Sequence, residues 1–164
     1  MAVGAFAKRI AKTESADQKS SDEAFIAGML HDVGKLVLAA NLPQKYGAML
    51  ALAAEEGIEQ SEAEYRIFGA SHGDVGAFLL EFWGLPDPLF VAAAFHHTPG
   101  KHSDKDFNTL TAVHVANVLE HEADPAKAVA AAMDRSYLSG LGLTERIPVW
   151  RESCLKPIQE GTPG

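Results

Sequence analysis

The sequence predicts an all-α fold, and three observations carry that reading. Helix start and stop signals recur every ten to twenty residues or so. Apolar residues fall at helical spacing, and the period-2 alternation of a half-buried strand is hard to find. Pairs of Ser with an acidic residue three positions later punctuate the chain as capping boxes do.

The N-terminal stretch MAVGAFAKRIAK reads as an amphipathic helix rather than a cleavable leader. Ser20 with Glu23 predicts a cap for one helix from about Ser21 to Ala40, with Ile26, Met29, Leu30, Val33, Val37 and Leu38 on its core face. Pro43 and Gly57 bracket the next helix, and Ser61 with Glu64 would cap a short one after it. Ser71 with Asp74 caps a helix that Gly84 ends. Pro86 or Pro88 opens LFVAAAFHH, and Pro99-Gly100 stops it. A polar loop leads to Asn108 or Thr109, where LTAVHVANVLEHE begins. Asp124-Pro125 starts the helix AKAVAAAMD, and Thr144 caps a last one carrying Ile147, Trp150, Leu155 and Ile158. Phe78, Phe82 and Trp83 could form an exposed apolar surface through which a structural adaptor pairs, but they are read as core because Leu79, Phe82 and Trp83 fit a helical stripe.

A chain of 164 residues suits a single domain, and 47% hydrophobic with 22% charged residues is a globular composition. The net charge of -8, with no Lys/Arg-rich run, argues against a nucleic-acid face. No apolar run approaches the roughly 18 residues of a membrane helix, so the expected location is the cytoplasm. The single Cys154 reads as a small buried hydrophobe.

Five of seven histidines, His31, His72, His96, His97 and His114, fall inside or at the ends of predicted helices. Separate helices can bring imidazoles and a carboxylate to one point, as a divalent metal requires, and Asp32 beside His31 could bridge two ions. The His31-Asp32 pair interrupts the apolar run GMLHDVGKLVL, where an unpaired carboxylate is costly, and Lys35 stands at salt-bridge spacing from it. Plainer readings stand beside these. The pair could be a hydrogen-bonded polar patch, His96-His97 a helix C-terminal interaction, and His72 a solvated polar residue. His114 with Asn117 would form a buried polar network, and His102 and His121 would sit in solvent.

The segments AFIAGMLHDVGKLVLA from Ala24, SHGDVGAFLLEFWGLP from Ser71, FHHTP from Phe95 and AVHVANVL from Ala112 resemble the successive blocks of an HDOD domain. That family is related to the HD-GYP phosphodiesterases and the wider HD phosphohydrolases. The resemblance covers about Met1 to Leu119. It implies an HD-like orthogonal helical bundle over residues 1–160, without the helices that usually precede this part of the family's unit, and such a chain should expose an apolar patch and tend to self-associate. Catalytic HD proteins hold metal with an upstream His, the His-Asp pair and a later Asp. Here nothing visible, His31-Asp32 and Asn117 stand in those places. His72, His96 and His97 fall where HD-GYP proteins add ligands, but HHTPGKHSDKD lacks the glycine-tyrosine-proline signature, so cyclic dinucleotide hydrolysis is not expected.

The resemblance therefore implies a bacterial signal-transduction module without catalysis, acting on a protein partner or small ligand, with a homo-oligomer among the expected assemblies. Its rival is a metal-dependent phosphohydrolase holding Mn, Fe, Mg or Zn through His31, Asp32, His72, His96, His97 and Asn117, with Lys35 as the catalytic group that positions phosphate.

Overall fold

The computed structural model describes residues 2–15, 17–123 and 132–155. Among these, ten α-helices and two short 3-10 turns follow one another with no strand: α1 Ala2–Glu14, α2 Gln18–Leu30, α3 Val33–Asn41, α4 Pro43–Glu56, α5 Gln60–Phe68, α6 His72–Phe82, α7 Asp87–Phe95, α8 Thr109–Ala123, α9 Arg135–Gly140 and α10 Ile147–Leu155. The all-α expectation holds. No single helix among the described residues is long and apolar enough to cross a membrane.

Helix α8 is the axis. Every residue from Thr109 to Leu119 is buried, which an all-round apolar helix achieves only when neighbours cover each face. Helices α1, α2, α7 and α10 pack on it, with Ile10, Ala27, Val113, Leu119 and Trp150 in the shared core. A second, separate core holds α4 against α5 around Met49, Ala53 and Ala63.

Several caps fall where the sequence placed them. Ser71 and Asp74 form the full capping box, Gly84 takes the left-handed conformation at φ 73°, and Asn108 Oδ1 accepts the Thr111 N–H. Thr144 opens a 3-10 turn that runs into α10, with Pro148 in the first turn. The Asp124-Pro125 helix and Ile158 lie outside the described residues.

Four expectations are corrected. Asp17 rather than Ser20 caps α2, accepting from the Lys19 and Ser20 amides, while Glu23 instead accepts the Thr109 hydroxyl. The helix expected from Ser21 to Ala40 is broken at His31-Asp32, where Asp32 takes φ -101° and ψ 11°. Its buried face is Ser21, Ala24, Ala27 and Gly28 rather than Ile26 and Met29, which are exposed: the small residues let α1 and α2 approach closely, Gly28 lying against Gly4. Phe78, Phe82 and Trp83 are 70%, 75% and 60% exposed and do not belong to either core.

Candidate functional site: an Asp and three His at one point

Glycines bring the site-bearing helices together. A Cβ on Gly34 would collide with the His72 carbonyl oxygen and lie 2.8 Å from the Gly76 nitrogen, so α3 and α6 meet backbone to backbone. A Cβ on Gly73 would lie 2.9 Å from the Ala93 carbonyl oxygen, which draws α6 onto α7 in the same way. The break between α2 and α3 then aims Asp32 at the N-terminus of α6 and the C-terminus of α7, in a backbone region common among site residues.

Asp32, His72, His96 and His97 each offer one ligand atom to a set that lies within 4.8 Å. His72 Nε2 is 3.3 Å from Asp32 Oδ1, 3.4 Å from His96 Nε2 and 3.2 Å from His97 Nε2, and His96 Nε2 is 3.7 Å from Asp32 Oδ1. Ligand atoms around a single ion with bonds of about 2.1 Å stand roughly 3.0–3.4 Å apart, so these spacings suit one ion.

The imidazole tautomers are set from behind. His72 Nδ1–H donates to Glu64 Oε2 at 2.6 Å and His96 Nδ1–H to the Ala93 carbonyl at 2.9 Å. In the neutral rings this leaves the His72 and His96 Nε2 lone pairs facing each other at 3.4 Å, an arrangement of repulsion unless a cation, or a proton such as one on His97 Nε2, stands beside them. Asp32 Oδ1 is buried without a hydrogen-bond partner, as an ion's ligand would be before the ion is counted. The residues present thus fit a divalent metal.

Charge follows the same geometry. Burial alone would raise the Asp32 carboxyl, but the His31 ring, once protonated in acid, and the Lys35 ammonium outweigh it and hold that group well below the usual range. Burial pushes His97 down to about 3, helped by His72, and pushes His96 and His31 down as well, so the rings are neutral at pH 7 and available as ligands.

The other expected residues take different places. His31 is buried, donates Nδ1–H to the Gly28 carbonyl and leaves Nε2 without a hydrogen bond, 3.5 Å from Asp32 Oδ2, but stands outside the four-atom set. Lys35 Nζ is 2.8 Å from Asp32 Oδ2, as the spacing predicted. Asn117, His96, His97 and His114 line a small cavity of about 110 Å³. His114 is buried in a polar network, but its partners are the His96 carbonyl, to which it donates, and the Asp134 N–H, which it accepts, rather than the Asn117 expected of it.

The plainer alternative for His72, a solvated polar residue, does not hold: it is 1% exposed, with Glu64 folded over it. His121 is not in solvent either, since its Nδ1–H reaches the Asn117 carbonyl. The functional residue that sequence reasoning missed is Glu64. It was assigned to a cap with Ser61, whereas no side chain caps α5 and Glu64 is wholly buried against His72. Nothing in EQSEAEYR distinguishes that glutamate from its exposed neighbours.

Comparison with known proteins agrees with this architecture. The HDOD domain family matches residues 1–99. An uncharacterized protein of Treponema pallidum (strain Nichols) is 28% identical over 107 residues, covering 65% of this chain and only 20% of that protein. Among solved structures, a protein of Shewanella amazonensis SB2B provisionally named a phosphohydrolase aligns with TM-score 0.64 at 19% identity, over 94% of this chain and 58% of its own. A protein of Marinobacter aquaeolei VT8 provisionally named for signal transduction aligns with TM-score 0.61 at 20% identity, over 92% of this chain and 37% of its own. The chain thus spans about a fifth of the curated relative and less than two thirds of either solved neighbour, and at these identities the structural likeness is one of fold. With the family matched over more than half its length and the His-Asp pair and added histidines gathered at one point, this chain belongs to the HDOD domain family.

Proposed function

We propose that this chain is a regulatory HDOD module whose Asp32-His72-His96-His97 pocket holds one divalent transition-metal ion as a tie between α3, α6 and α7, and that it acts on a protein partner rather than by hydrolysis. The observation that carries this reading is the fate of the two Asp32 oxygens. Oδ1 faces the imidazoles, while Oδ2 is held by the Lys35 ammonium at 2.8 Å with His31 Nε2 at 3.5 Å, so a second ion at Oδ2 would have to displace that ammonium.

Three imidazoles and one carboxylate favour Zn, Fe or Mn over Mg, which prefers oxygen ligands and water. When bound, the ion would supply positive charge that relieves the facing lone pairs and links three helices, stabilising the folded chain by mass action. His72 and His96 are held rigidly by their Nδ1–H bonds, and Lys35 neutralises the carboxylate oxygen that faces away. A neutral Asn117 in the place of a carboxylate supports a non-catalytic role, since it adds no charge for a second ion. The exposed outer face of α6, where Phe78 and Phe82 stack at 6.3 Å, supports protein binding or self-association.

Elemental analysis after reconstitution tests the reading. Wild type should retain one equivalent of Zn, Fe or Mn per chain, Asp32→Ala and His96→Ala should retain far less, and none should hydrolyse bis(p-nitrophenyl) phosphate. Less than one equivalent in wild type would remove the metal. Hydrolysis at enzymatic rates that disappears in Asp32→Ala would establish the phosphohydrolase instead.

A further inference from the structure

We infer that Glu64 is the positioning residue through which occupancy of the metal pocket governs docking of the α4–α5 hairpin, an inference that rests on the metal reading proposed above. Glu64 lies on α5 and is completely buried. Its Oε2 accepts two N–H groups from one residue, the His72 backbone at 2.7 Å and His72 Nδ1 at 2.6 Å, while Oε1 is buried with no partner. The hydrogen bonding of this carboxylate is thus spent on orienting a single imidazole.

The hairpin that carries Glu64 is otherwise nearly self-contained. Its core around Met49, Ala53 and Ala63 is separate from the main one. It meets the first turn of α6 through two consecutive residues of α5, Glu64 on His72 and Tyr65 Oη donating to Asp74 Oδ2 at 2.6 Å. The Tyr65 bond is exposed and therefore weak. Tyr46 on α4 lies in the same field: burial raises its phenol, and the charges of Glu64 and Asp32 raise it further.

A buried carboxylate with one bare oxygen is costly unless positive charge stands near. His72 supplies that charge only in part while neutral, and more when its Nε2 engages a cation, because the ring is then polarised and Nδ1–H becomes a stronger donor. Partners behind a metal-ligating imidazole commonly change metal affinity by about 10–100-fold. Coupling between two equilibria is reciprocal, so the factor by which docking of the hairpin through Glu64 raises affinity is the factor by which metal raises the equilibrium constant for docking. Residues 43–68 are on this view the element that reports the state of the pocket.

Hydrogen exchange and titration calorimetry on the full chain, with Zn2+ as the probe, test this. In wild type, Zn2+ should slow exchange across residues 43–68 by about 10–100-fold, the range expected of such a partner. Glu64→Gln should bind Zn2+ about 10–100-fold more weakly and lose the slowing in 43–68. Tyr65→Phe should keep both responses. Should Glu64→Gln fail to fold by circular dichroism, Glu64→Asp, which keeps the charge but not the reach, should show the same two losses. Equal Zn2+ affinity in wild type and the Glu64 variant, or Zn2+ uptake without slowing of the hairpin, would overturn the coupling alone. No Zn2+ uptake by wild type would overturn the metal reading and the coupling with it.

Discussion

At Gly34 a hydrogen in place of a methyl group decides whether the pocket exists. Its α-carbon faces the His72 carbonyl and the Gly76 nitrogen, and neither is the movable end of a side chain. Gly34→Ala must therefore push α3 from α6, and since Asp32 stands two residues before Gly34 and His72 carries the obstructing carbonyl, the 3.3 Å approach of Oδ1 to Nε2 is lost with it. Overpacking of this kind costs about 1–3 kcal/mol. The expected outcome is a loss of that size in urea denaturation of metal-free protein together with at least tenfold weaker Zn2+ binding. Unchanged stability and affinity would mean that the two helices can part without disturbing Asp32. The same residue shows what the sequence disclosed and what it hid. His31, Asp32, His72, His96 and His97 stood out as titratable groups in apolar helices, whereas the glycines that bring them together look, in a single sequence, like ordinary flaws in helical propensity.

The helices themselves were legible wherever a local signal decides their ends. The Ser71–Asp74 box, the left-handed Gly57 and Gly84, and Asn108 before α8 act on neighbouring backbone and need no tertiary partner. The break at His31-Asp32 was not legible, because no Gly or Pro marks it and the turn is held by packing of α3 on α6. Nor was the burial of small residues on α2, since a stripe of Ala and Gly competes poorly with Ile and Met when hydrophobicity alone is read. The tie between the two ends of the chain is likewise tertiary. Trp150 of α10 is wholly buried and donates its indole N–H to Glu14 Oε1 at 2.8 Å, and Arg146 reaches the same carboxylate. Trp150→Ala should cost about 3–5 kcal/mol through the cavity it leaves. Trp150→Phe, which keeps most of the ring but not the donor, should cost about 1–2 kcal/mol. Chemical denaturation of the two variants separates packing from the hydrogen bond, and equal losses would show that the bond to Glu14 is what anchors α10.

For the molecule as a whole, the buried imidazoles set how stability responds to acid. His31, His96 and His97 lie below their ordinary value of 6.5, chiefly because burial disfavours the charged ring, and His97 is down at about 3. In the unfolded chain these rings take up protons near 6.5, whereas in the folded chain they stay neutral to lower pH, His97 down to about 3. Between about 6.5 and 3 the unfolded state therefore holds more protons, and stability rises with pH across that window and is lost as pH falls through it. Asp32, held below its ordinary 3.8, adds a loss only in more acid solution. Metal-free protein should accordingly show a Tm that is level above pH 7 and declines steadily from pH 6.5 to 4, and His97→Gln should make that decline shallower by removing one of the rings. Metal adds a second dependence of the same sign, because protonated imidazoles cannot coordinate, so the rise in Tm on adding Zn2+ should shrink as pH falls. Calorimetry at several pH values, with and without chelator, reads both. A Tm of the stripped protein that does not move between pH 7 and 5 would mean that these rings are hydrated in solution, and the pocket would then lack the dry environment that keeps its Nε2 lone pairs ready for a cation.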